Sequence, residues 1–180
     1  MKKTYDILFF SLAILLGITL FPACTTFTKK SAPAPVLRIE GNLYEHKSPD
    51  FFIAYPMSWK EAKPDGDAFF KVASGAIGIP SINIGSQEMD QSPQDTGKGL
   101  CKDISTMGTN CRIIYSKKIS LADGTPAFET LAIWDHALMP GVNTCRVVAK
   151  KGDTCISVSL TDIGQIKEEY KDYMYSLIIK

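Results

Sequence analysis

The chain has 180 residues, with 20 lysines and arginines against 19 acids and a net charge of +1. That balance leaves no electrostatic footprint for nucleic acid, since the Lys-Lys pairs at 29–30, 117–118 and 150–151 stand apart. Apolar side chains make up 45% of the residues, enough to build a core that needs no metal to hold it.

The first segment reads as a targeting signal. Lys2 and Lys3 precede ILFFSLAILLGITLFP at 7–22, which carries no charge. A run of about 16 residues falls short of the roughly 20 that span a bilayer core, and it suits the hydrophobic region of an export signal. It ends in Phe21-Pro22-Ala23-Cys24, where the proline argues against a continuing helix. A small residue ahead of a cysteine resembles the bacterial lipobox, although Phe21 and Pro22 stand where that pattern prefers Leu and a small or β-branched residue. The resemblance implies a signal peptide at 1–23 and lipidation of Cys24, a thioether-linked diacylglycerol being added before cleavage. An uncleaved anchor helix and plain secretion are the alternatives. A multiply acylated cysteine anchors stably without a spanning helix, each buried CH₂ contributing about 0.8 kcal/mol. Thr25 is not the aspartate that retains enterobacterial lipoproteins at the inner membrane. The expected location is therefore the cell envelope, on the outer membrane facing the periplasm in a Gram-negative host.

Residues 24–35, CTTFTKKSAPAP, read as a flexible tether. The remaining 36–180 amounts to about 145 residues, one domain's worth of chain. Within it, 42–46, 51–56, 68–74 and 81–87 read as strands, the last because Ile82 and Ile84 alternate with polar neighbours. Ser92-Pro93-Gln94-Asp95 opens a helix with a capping serine, a proline at the first position and an acid three residues on. Leu100, Ile104 and Met107 share its apolar face, and Gly108 closes it. Residues 111–121 and 125–135 form a hairpin around Asp123-Gly124. A second hairpin spans 142–160 around Lys150-Lys151-Gly152. A last helix is predicted from about Asp162, burying Ile163, Ile166, Tyr170, Tyr173, Met174, Leu177 and Ile178, with Lys167, Glu168, Lys171 and Asp172 outward. Grouped strands with few helices make this an α+β chain with a central antiparallel sheet flanked by helices.

Four cysteines follow Cys24, and an even count in an exported chain suggests disulfides. No CxxC pair is present. Cys101–Cys111 is expected because a short turn at 108–110 folds the strand start back along the helix. Cys145–Cys155 is expected if the second hairpin turns through three residues, Lys150-Lys151-Gly152. That turn places both cysteines on one sheet face as diagonal neighbours. Free, packed cysteines are the alternative.

No reaction is legible. The chain lacks GxSxG, GxGxxG and GK[ST], so Gly75-Ala76-Ile77-Gly78 reads as a turn. Pro64-Asp65-Gly66-Asp67 lacks the further oxygens of a calcium loop. His46 and His136 are the two histidines, and His136 with Met139 could contribute to a copper site only if His46 or a free cysteine joined them. Trp59 and Trp134 read as core or sheet-face anchors before ligand-stacking platforms. No catalytic residue, metal ligand or cofactor is assigned.

Phe52-Ile53-Ala54-Tyr55-Pro56 followed by Trp59 resembles the opening motif of the PsbP-like superfamily. Asp123-Gly124-Thr125-Pro126-Ala127 resembles that group's turn before a strand. The superfamily includes a photosystem II extrinsic protein, a nuclear-import factor that binds a GTPase, and many bacterial lipoproteins. The resemblance implies an α/β/α sandwich over about residues 40–180 and carries no shared catalytic residues. The expected function is a membrane-anchored, non-enzymatic accessory lipoprotein that binds a protein partner in the envelope. A small-molecule or copper-type metal-binding domain using the 134–139 loop is the alternative.

Overall fold

The computed structural model describes residues 39–75, 77–87 and 90–180. The expected signal peptide at 1–23, the expected tether at 24–35 and the expected lipidation site Cys24 lie outside them. In chain order the elements are β1 (Asn42–Lys47), β2 (Asp50–Tyr55), β3 (Lys60–Ala62), β4 (Phe70–Ala73) and β5 (Ser81–Ser86). There follow α1 (Pro93–Lys98), α2 (Leu100–Ile104), β6 (Gly108–Ser120), β7 (Pro126–His136), β8 (Met139–Lys151), β9 (Thr154–Ile163), α3 (Glu168–Tyr175) and β10 (Ile178–Ile179).

Among the described residues two antiparallel sheets form, a small one ordered β1-β2-β10 and a large one ordered β3-β4-β5-β9-β8-β7-β6. The period of two along each strand gives the large sheet two unlike faces. On one face Val72, Ile82, Leu160, Cys145 and Leu131 form a cross-strand row, and Phe70, Ile84, Val158 and Val147 form the next. The small sheet covers this face with Phe51, Ile53 and Ile179, and α3 and the link after it add Met174 and Leu177, all buried. On the opposite face the intervening row reads Lys71, Asn83, Ser159, Arg146, Thr130 and Ser116, polar across six strands.

Among the described residues sheets dominate and the helices are too short to form full flanking layers, so the expected α/β/α sandwich is corrected in that respect. The predicted helix over 92–108 starts as its cap implies, with Ser92 Oγ accepting from Asp95 N at 3.1 Å. It breaks at Gly99 into two short pieces. Leu100 and Ile104 are buried, whereas Met107 is exposed and Gly108 already begins β6. The C-terminal helix is shorter than predicted because β9 runs on through Ile163, which is left exposed. Ile178 belongs to β10 rather than to that helix.

The second hairpin turns through Gly152-Asp153, with Lys151 paired to Thr154 and Gly152 at φ +56°. Glycine at the first position of a two-residue loop is what such a turn favours. This corrects the expected three-residue turn and with it the Cys145–Cys155 disulfide. Cys145 pairs with Leu160 on the core face, while Cys155 pairs with Lys150 on the other face. Both cysteines are free and buried. Moving a turn by one residue exchanges the two faces of a strand.

Candidate binding cleft

Four members of the polar row, Lys71, Asn83, Ser159 and Arg146, form the floor of a cleft of about 590 Å³, within the range of ligand-sized sites. One wall is α2. Leu100 and Ile104 pack on Ala132, Trp134 and Val142 and seat this helix over β7 and β8. A disulfide between Cys101 and Cys111, with Cα atoms 5.5 Å apart, ties its first turn to β6. Arg146 reaches from the floor to Asp103 on α2, with Nη1 2.5 Å from Oδ2, and its Nε donates to Ser159 Oγ at 3.2 Å. The opposite wall is the 64–67 turn, where Asp65 accepts from Lys71 Nζ at 2.7 Å and from Asn83 Nδ2 at 3.0 Å. Gly66 takes φ +56° there, so the acids serve a turn that fixes a lip of the cleft.

Between the walls the hydroxyls pair with one another or with neighbouring amides. Thr144 Oγ1 lies 3.1 Å from Thr161 Oγ1 and accepts from Trp134 Nε1 at 3.0 Å. Gln87 Nε2 donates to Ser157 Oγ at 2.8 Å. Ion pairs at both lips and hydrogen-bonded hydroxyls between them hold the floor in a fixed pattern. Charges of both signs meet on the floor while Ile77, Ile79, Leu100, Ile104 and Met107 line the cleft with apolar groups, so it suits a neutral or mixed-charge surface with apolar side chains better than a strong anion.

Directly behind the floor, on the core face, Glu129 is fully buried. The hydroxyls of Tyr115 and Tyr175 both donate to it in short hydrogen bonds. Lys117 Nζ and Lys171 Nζ stand 3.4 and 3.9 Å away. Burial alone pushes the Glu129 carboxyl up, but the two tyrosine hydrogen bonds and the lysines outweigh it and hold its pKa below the ordinary value. Both tyrosines are pushed up in turn, first by burial and then by donating to the carboxylate. Lys171, predicted outward, is buried against this cluster and also bonds Glu168 Oε1 at 2.8 Å. Sequence reading missed the cluster. Its signal was an acid at 129 in phase with Ala127 and Leu131 on the core side of one strand.

The remaining predicted residues are dispersed. Tyr44 Oη lies 2.9 Å from His46 Nδ1, and His46 Nε2 lies 2.9 Å from the Ser48 carbonyl. Both ring nitrogens of His46 are thus engaged, in an aromatic group with Phe51 and Phe69. His136 pairs with Met139 at the end of the large sheet, and its Nδ1 accepts from Leu138 N at 3.2 Å. The histidines therefore stand in different sheets. Among the described residues no group of three or more His, Cys, Asp or Glu is placed to hold a metal. Burial pushes both the Cys145 and the Cys155 thiol up. Trp59 is buried edge-on to Tyr170, and Trp134 anchors the cleft floor. Among the described residues no helix is long and apolar enough to cross a membrane.

No family model matches the chain, and no curated protein matches it. Among solved structures, cyanobacterial PsbP from Synechocystis is 13% identical, over 77% of this chain and 92% of that one, with a TM-score of 0.57. A Pseudomonas aeruginosa protein of unknown function is 12% identical over 67% and 81%, at TM-score 0.38. A Bacteroides thetaiotaomicron protein is 14% identical over 78% and 48%, at TM-score 0.42. The likeness to the Synechocystis structure shows that the chain carries a PsbP-like fold.

Proposed function

We propose that this is a non-enzymatic accessory lipoprotein of the bacterial cell envelope, tethered through a lipid on Cys24. Its PsbP-like domain engages a partner protein through the cleft over the polar floor. The single observation that carries the binding role is the polar row from Lys71 to Ser116, part of which α2 and the 64–67 turn leave open as a walled cleft. The sequence 7–24 supports the anchor, and the proline-bearing segment 24–35 supports a tether long enough to present the domain.

A second reading, a small-molecule site in the same cleft, draws support from the cleft's volume of about 590 Å³. The copper alternative finds less support, since both nitrogens of His46 are engaged away from His136. Two measurements test the proposal. Cys24→Ala should move the protein from the detergent phase to the aqueous phase, and unchanged partitioning would remove the lipid anchor. A photo-crosslinking residue at Gln87 in intact cells should trap one defined protein. Its failure, together with thermal stabilisation by a small-molecule panel, would favour the second reading.

A further inference from the structure

The long edge of the large sheet has an unusual make-up. β6 runs 13 residues, and among the described residues it has a strand neighbour, β7, on one side only. Its sequence, GTNCRIIYSKKIS, holds Arg112, Lys117 and Lys118 and no acid. Ile113 and Ile114, near its centre, are exposed. Two register shifts interrupt its pairing with β7, one at 109–112 where Asn110 adopts φ +55°, the other at 113–115. These shifts leave Ser116 to Ser120 in unbroken register, each residue opposite one in β7 from Thr130 to Pro126. The disulfide to α2 holds the strand's beginning.

An unpaired edge of this length presents a row of backbone donors and acceptors to any extended segment. Edge lysines discourage association by repelling like edges, and the same charge attracts an acidic one. A second copy pairing along β6 would set three cations against three, which opposes self-assembly. We infer that β6 is a docking edge for an extended acidic segment of a protein partner, added as an antiparallel or parallel strand beside it. The inference rests on the reading that this domain recruits a protein, and it adds the chemistry of the segment recruited. Arg112 and Lys118, on opposite faces of the strand and both exposed, meet acids on either face of the incoming segment. Lys117 already shares its charge with Glu129 and contributes less.

The test uses the full chain in detergent micelles and three synthetic peptides matched to β6 in length. One alternates valine with glutamate. The second has the same charge with proline in place of alternate valines, and the third alternates valine with lysine. The valine–glutamate peptide should bind, more weakly as salt rises. The proline peptide should bind at least tenfold more weakly, because proline removes the backbone donor a strand needs. Arg112→Glu with Lys118→Glu should weaken the valine–glutamate peptide at least tenfold and leave the circular dichroism unchanged. Absence of binding by the valine–glutamate peptide overturns the inference. So does equal binding of the proline peptide, which would mean charge attraction without strand pairing, or a dimer in solution that the double variant dissolves. If the peptides fail while a crosslinker at Gln87 still traps a protein, the edge is wrong and the partner-binding reading stands.

Discussion

Replacing Glu129 by Gln keeps the size of the side chain and removes its charge and one acceptor oxygen. In the native protein that carboxylate receives Tyr115 and Tyr175 and faces Lys117 and Lys171, in a position with no solvent exposure. The amide can accept from one tyrosine, so the other hydroxyl must turn to a poorer partner or go unpaired. A hydrogen bond to a charged group contributes about 1.5–3 kcal/mol, and an unsatisfied buried hydroxyl costs about 1–3 kcal/mol. Allowing for relaxation, the variant should lose about 2–4 kcal/mol at pH 7, or about 6–12 °C in melting temperature at this domain size.

The sign of the pH dependence follows from the depressed pKa of Glu129. The stability from this carboxylate is present above its unfolded pKa and is lost as pH falls through the folded value. The gap between native protein and Glu129→Gln should thus be full at pH 7 and shrink progressively below about pH 4.5. Urea denaturation followed by tryptophan fluorescence at several pH values measures it. A variant as stable as the native protein at pH 7, or a gap that grows on acidification, would show that burial wins over the hydrogen bonds.

Other consequences are simpler. Denatured without reductant, the protein should expose two titratable thiols from Cys101, Cys111, Cys145 and Cys155; four would deny the bridge and none would restore the second one. Opening Cys101–Cys111 by the double serine variant should cost about 2–3 kcal/mol from the loop entropy it releases, read as a lower urea midpoint. Gly108→Ala should destabilise by about 1–3 kcal/mol through overpacking. Its added methyl would stand 2.5 Å from the Asp135 carbonyl and against the Trp134 ring, so an unchanged melting temperature would refute the packing described for the cleft wall.

Local patterns were legible wherever a short-range rule acts alone. The alternation of Ile82 and Ile84, the cap at Ser92, the Asp123-Gly124 turn and the aromatic strands around Phe51 and Ile53 each depend on neighbours within a few residues, and the antiparallel arrangement follows from their grouping. The placement of Glu129 and Lys171 is different, because a lysine on a helix and an acid on a strand look solvated until the two elements are packed together. The cleft is of the same kind. Its floor collects Lys71, Asn83, Ser159 and Arg146 from four strands, and only the sheet order sets them side by side. The disulfide framework turned on one residue of register, since a loop at Gly152-Asp153 sends Cys145 into the core and Cys155 to the far face. Sequence by itself determined most of the strands, the Ser92 cap and the Asp123-Gly124 turn, because these are properties of contiguous residues. Tertiary structure alone decided which faces are buried, which charges meet and which edge stays open, because those depend on long-range pairing that no local window contains.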